Sequence, residues 1–153
     1  MTDITERATA ERRDWMGLLA RAPDKSLLAL WWALPHHPAF KWLRRPEISS
    51  VMVRGRTGGT GTPFNLGEMT VTRCSVVLDD GTVGHGYVQG RSKPKAEAAA
   101  MIDAIMQTPA AADMRVNILD PLNQQMQSAK QSRAAKAAAT KVEFFTMVRG
   151  EDR

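Results

Sequence analysis

One cysteine, Cys74, is all that this chain of 153 residues carries. It can build neither an internal disulfide nor a zinc quartet, and that usage points to a reducing cytoplasm. Long apolar runs are missing as well. Nothing approaches the roughly 20 apolar residues that span a bilayer, so no membrane is expected. The opening "MTDITERATAERRDW" alternates charges and has no apolar stretch of the kind a secretory leader needs. Acidic residues are in deficit: 16 against 21 Lys and Arg, for a net charge of +5. A modest positive excess suits an acidic partner: nucleic acid, a nucleotide or an acidic protein face. Paired carboxylates, a serine triad and a nucleotide-binding glycine signature are not evident.

What remains reads as one domain, 1–153, in three stretches. Stretch 1–45 reads as helical. Ala8, Glu11, Trp15, Leu18, Leu19 and Ala22 follow helical spacing, and Asp24 is placed to cap a second helix, "KSLLALWWAL". All four tryptophans lie here, and Trp15, Trp31, Trp32 and Trp42 are candidate core anchors. Stretch 46–108 changes character, since nine of the eleven glycines fall between Gly55 and Gly90. "ISSVMVRGR" reads as a strand. "GEMTVTRCSVVLDDGTVGHGYVQG" reads as a hairpin around a two-residue turn at Asp80-Gly81. That turn sets Leu78 across from Val83, Val76 from His85, Cys74 from Tyr87 and Thr72 from Gln89. Gly84, Gly86 and Gly90 then occupy the other face with Val88, packed tightly under a helix or a partner. Ser92 caps a helix with Pro94 in its first turn and an apolar stripe at Ala98, Met101, Ile102, Ile105 and Met106.

In stretch 109–153, "AAADMRVNILD" reads as irregular. The alanine-rich "PLNQQMQSAKQSRAAKAAATK" reads as a helix with little to bury. The tail "VEFFTMVRGEDR" is apolar and β-prone, suited to adding a strand to an exposed sheet edge. The fold class is therefore α+β: a small antiparallel sheet, helices before and after it, and an extended C-terminal arm.

Candidate sites are few. In "RTGGTGTPFNLGEMTVTRC", Arg56 to Cys74, no lysine follows the glycines, so it is not a P-loop. A strand follows rather than a helix, so it is not a dinucleotide fingerprint. Two readings stay open: a shaped structural loop, or a nest of backbone N–H groups beside Arg54 and Arg56 that holds an anion. His85, Cys74 and Tyr87 are the residues an autonomous enzyme would use. His36 and His37 lack a third metal ligand, and no metal site is expected. The basic residues Lys130, Arg133, Lys136 and Lys141 are what a small nucleic-acid-binding module would use, but no recognition motif accompanies them.

Four blocks taken together resemble a known family: "RRDWMGLLA", "RTGGTGTPFNLGEMTVTRC", "DDGTVGHGYVQGRSKPKAEAAAMIDAIMQ" and "VEFFTMVRGED". They cover well over half of the chain, in order. The family is PhnG, the G subunit of the bacterial carbon–phosphorus lyase system of phosphonate catabolism. The resemblance implies an accessory subunit working with the I, H and J subunits and the ATP-binding-cassette-like L and K proteins. In that system the ribose triphosphate of ATP is transferred to a phosphonate and adenine leaves. The product is α-D-ribose 1-methylphosphonate 5-triphosphate. The nucleosidase chemistry is attributed to the I subunit. The S-adenosylmethionine and iron–sulfur cluster belong to the J subunit, and the G subunit binds no cofactor. No catalytic residue is expected here, nor a nucleic-acid partner. With anionic substrates in the complex, Arg56, Gly59, Thr60, Gly61 and Arg73 become candidate substrate contacts. Val142, Phe144, Phe145, Met147, Arg149 and Trp15 become candidate partner contacts.

Overall fold

The computed structural model describes residues 2–142. Helix α1 (Thr2–Arg21) and helix α2 (Asp24–Trp32) come first. Strands β1 (Phe40–Arg56), β2 (Pro63–Leu78) and β3 (Val83–Gln89) follow. Helix α3 (Lys93–Ile105), a short α4 (Ala111–Met114), a π-turn (Arg115–Leu119) and α5 (Asp120–Ala139) complete the order. The strands form an antiparallel meander, β1-β2-β3, so the α+β class holds.

Helix α3 lies on one face of the sheet. Ser92 caps it by accepting from Lys95 N at 3.2 Å, with Pro94 in the first turn as expected. Its alanines make the contact. A Cβ on Gly84 would run into the Ala100 carbonyl, and one on Gly86 into the Ala96 carbonyl. The two glycines let the helix backbone settle directly on β3. That bears out the tight packing read from Gly84 and Gly86 but not from Gly90, where an added Cβ would meet nothing within 4 Å. The core continues from this seam through Val76, Ile102, Leu19, Leu27, Trp31, Ile118 and Leu122, all buried. Helix α1 reaches it through Trp15 and Leu19, one stripe of a helix whose first half is exposed, and Ala22 just past its end is buried too.

Several expectations need correction. The helical reading of 1–45 fails after Trp32, because β1 begins at Phe40. Phe40 and Trp42 alternate onto the core side, and Pro46 is accommodated at a register shift between Arg44 and Glu47. Asp24 does not cap α2. It is already helical, Pro23 holds the cap position, and the Asp24 carboxylate faces Lys95 Nζ at 3.4 Å. Trp32 is 64 % exposed, unlike Trp15 and Trp31. "AAADMRVNILD" is helical, through α4 and the π-turn, because Met114, Ile118 and Leu119 all find the core.

The β2–β3 hairpin is one residue out of the expected register. Leu78 N donates to Thr82 O at 2.9 Å and Gly81 N to Leu78 O at 3.0 Å, which leaves a three-residue loop, 79–81. Gly81 takes φ 86°, the left-handed conformation such a loop ends on. Asp80 Oδ1 accepts from Thr82 N at 2.8 Å and reinforces it. The slip pairs Cys74 with Gly86, Val76 with Gly84 and Ser75 with His85. Thr72, Cys74, Val76 and Leu78 thus share the buried face with Gly84, Gly86 and Val88, while His85 and Tyr87 move to the exposed face.

Candidate functional site

The glycine-rich stretch forms the tip of a two-stranded arm. Beyond Val71, β2 has lost β3 as a neighbour and pairs with β1 alone, out to Arg56 opposite Pro63. At the tip Thr57 N donates to Thr62 O at 3.3 Å and Gly61 N to Thr57 O at 2.8 Å. Gly58 and Gly59 hold φ 62° and 86°. The loop thus spends part of its backbone donors on its own carbonyls, and the Arg56 guanidinium leans on Gly61 O at 3.4 Å. Arg56, Gly59, Thr60 and Gly61 are brought together. Arg73 is not among them: it lies about 30 Å along β2, between Glu47 and Tyr87. One face of the arm is apolar, with Phe64 and Leu66 exposed beside Gly55.

The polar centre of the molecule is a residue the sequence reading passed over. Asp103 is fully buried in α3. It accepts from Arg12 Nε at 3.1 Å, Arg12 Nη2 at 2.7 Å, Trp15 Nε1 at 2.9 Å and His85 N at 2.8 Å. One carboxylate therefore ties α1 and β3 to α3. A signal existed: Asp103 is the single charge inside the apolar run "AAAMIDAIM", and a carboxylate there requires donors. Trp15 is held inside by this bond.

This geometry bears on each candidate nucleophile or base. The Asp103 carboxylate meets the backbone of His85, not its ring, so Ser75, His85 and Asp103 do not form a relay. His85 Nδ1 shares a 2.8 Å hydrogen bond with Ser75 Oγ on the exposed face. Burial pushes the Cys74 thiol up to about 12, which suppresses the thiolate at neutral pH. His37 Nε2 donates to Trp31 O at 2.8 Å, and its ring sits against Trp31 and Trp32 with centroids 4.6 Å and 5.3 Å away. Among the described residues no three His, Cys, Asp or Glu side chains cluster to hold a metal. No described helix is long and apolar enough to cross a membrane. A groove of about 590 Å³ between α1 and the start of α5 is lined by Glu11, Asp14, Arg21, Arg115 and Asp120, charges of both signs.

Of the candidate partner contacts, Val142 is 68 % exposed. Phe144, Phe145, Met147 and Arg149 lie outside the described residues. The exposed side of α5 carries Lys130, Arg133 and Lys136, and no carboxylate occurs from Pro121 to Val142.

Residues 10–150 match the family described as "Phosphonate metabolism protein PhnG". The chain is also 43% identical, over 147 residues, to the alpha-D-ribose 1-methylphosphonate 5-triphosphate synthase subunit PhnG of Rhizobium meliloti (strain 1021). That alignment covers 96% of this chain and 94% of the relative.

Proposed function

Because this chain belongs to the PhnG family of phosphonate metabolism proteins, we propose that it is the G-type subunit of an α-D-ribose 1-methylphosphonate 5-triphosphate synthase. In this reading it assembles with I- and H-type subunits, an ATP-binding-cassette-like L protein and a J-type subunit. The complex joins a phosphonate to the ribose triphosphate of ATP and releases adenine. The chain contributes surfaces, while the reacting groups and cofactors belong to its partners. The observation that carries this reading is how the buried chemistry is spent. Asp103 is saturated by four donors, and the Cys74 thiol is held protonated. Meanwhile the β1–β2 arm and most of α5 stand exposed, more surface than a self-sufficient domain leaves uncovered.

Within the complex, the tip residues Arg56, Gly59, Thr60 and Gly61 approach an anionic group of the substrate. Arg73 serves a separate contact on the exposed sheet face. The test is reconstitution: purify the chain with its presumed partners and follow adenine release from ATP with methylphosphonate. Activity should require the chain, survive His85→Ala and fall with Arg56→Ala. Turnover by the isolated chain that His85→Ala abolishes would overturn the accessory reading. Full activity in Arg56→Ala with Arg73→Ala would remove the substrate contacts alone.

A further inference from the structure

The two edges of the sheet are treated differently. The edge of β3 is partly capped by side chains of α3 and the turn after it. Lys95 Nζ donates to Gln89 O at 3.4 Å, His85 N donates to Asp103 at 2.8 Å, and Gln107 Nε2 donates to Val83 O at 2.8 Å. Along β1 nothing comparable occurs: among the described residues no hydrogen bond reaches its outward backbone groups. At 17 residues β1 is far longer than the usual five or six. Its first half is blunted by two register shifts and Pro46. From Glu47 to Val53 the pairing is regular, and Ile48–Val53, "ISSVMV", carries neither charge nor proline. A regular, uncharged, bare edge is a template for another strand.

Charge selects the strand. Arg44, Arg45 and Glu47 precede the bare stretch, with Glu47 3.5 Å from Arg44 Nε, and Arg54 and Arg56 follow it. A second β1 laid antiparallel would set these arginines against one another, which disfavours edge-to-edge pairing of two copies. The C-terminal segment carries carboxylates towards both ends. Its β-prone run "FFTMV" is preceded by Glu143 and followed by Arg149, Gly150, Glu151 and Asp152. Arg45 and Arg54 are nine residues apart, and so are Glu143 and Asp152. Either strand direction brings both pairs of opposite charges together.

Reach selects the copy. Beyond Met126, α5 is wholly exposed, and its packing partners are the π-turn and α2 rather than the sheet. Its end at Ala139 therefore lies about 20 Å along the helix beyond Met126, its last packed residue. Thr140–Val142 can recover only about 10 Å of that. We propose that the C-terminal segment 143–152 of one copy adds as a strand to the bare edge of β1, along Ile48–Val53, in a second copy. Backbone hydrogen bonds supply the affinity, and the arginine–carboxylate pairs at both ends set the register.

The test is a charge swap on the full-length chain, read by sedimentation equilibrium. The chain should self-associate. Arg45→Glu with Arg54→Glu should weaken association about tenfold, as should Glu143→Arg with Asp152→Arg. The variant carrying all four substitutions should regain it. Restoration separates pairing from misfolding, and circular dichroism on each variant checks the fold directly. A monomeric parent chain overturns the proposal. So does association that either reversal leaves intact, or that the four-fold variant fails to restore.

Discussion

At the scale of single residues, stability concentrates on Asp103. Replacing it with Asn keeps the shape but removes the charge that Arg12 and the two N–H donors are arranged around. Breaking a buried ion pair costs roughly 3–5 kcal/mol, and the partial exposure of Arg12 places Asp103→Asn near 3 kcal/mol. Urea unfolding of the variant should show that loss with an unchanged denaturant slope. Lys95 behaves differently. It is buried, and burial lowers its pKa below the ordinary 10.5, with Asp24 opposing. The unfolded chain therefore binds this proton more tightly than the folded one does. Stability from this group rises with pH through the window between the lowered value and 10.5. Lys95→Met should flatten that alkaline rise in the urea midpoint; an identical slope in both proteins would refute it. Asp103 left only the trace of one charge in an apolar run and Lys95 left none, because burial of a charge is decided by contacts far along the chain. Arg12 and Asp103 are 91 residues apart.

At the scale of elements, much was legible wherever local chemistry is decisive. Ser92 and Pro94 start α3 as their types dictate, and the alternating apolar residues of β2 and β3 mark strands. The Asp-Gly pair announced the turn but not its length, and one extra loop residue changed which face of β2 lies beside the glycines of β3. What survived that error was the meaning of the glycines, because close approach depends on having no side chain. Gly84→Ala drives a methyl into the Ala100 carbonyl, which belongs to helix backbone and cannot step aside. A loss of about 2 kcal/mol or more is expected, measurable as a lowered melting temperature, whereas the same change at Gly67, where nothing lies within 4 Å, should be mild. β1 was half-read. "ISSVMV" has strand chemistry, but "FKWLRRP" ends in a proline and clustered arginines, and only pairing with β2 extends it.

At the scale of the whole molecule, the compact centre is unequal to the surface it carries. α5 is held by Leu122 and Met126 near its start, and then by helix propensity alone. Ala135→Gly should therefore lower helical content by circular dichroism, at a local cost of about 1 kcal/mol, without shifting the urea midpoint of the core. A shifted midpoint would mean that the end of α5 is packed. The family was readable because its blocks are spread along the chain. The contact surfaces were less so, since an edge is defined by what fails to cover it. The clamp on α1 also sets an order of events during synthesis. Arg12 and Trp15 leave the ribosome early, while the carboxylate that anchors them is translated 91 and 88 residues later. At roughly 5–20 residues per second, α1 waits on the order of ten seconds for its anchor. Throughout that interval Trp15 and Leu19 are exposed on the nascent chain, a window in which a chaperone or a co-translated partner can engage the N-terminal helix before the domain closes over it.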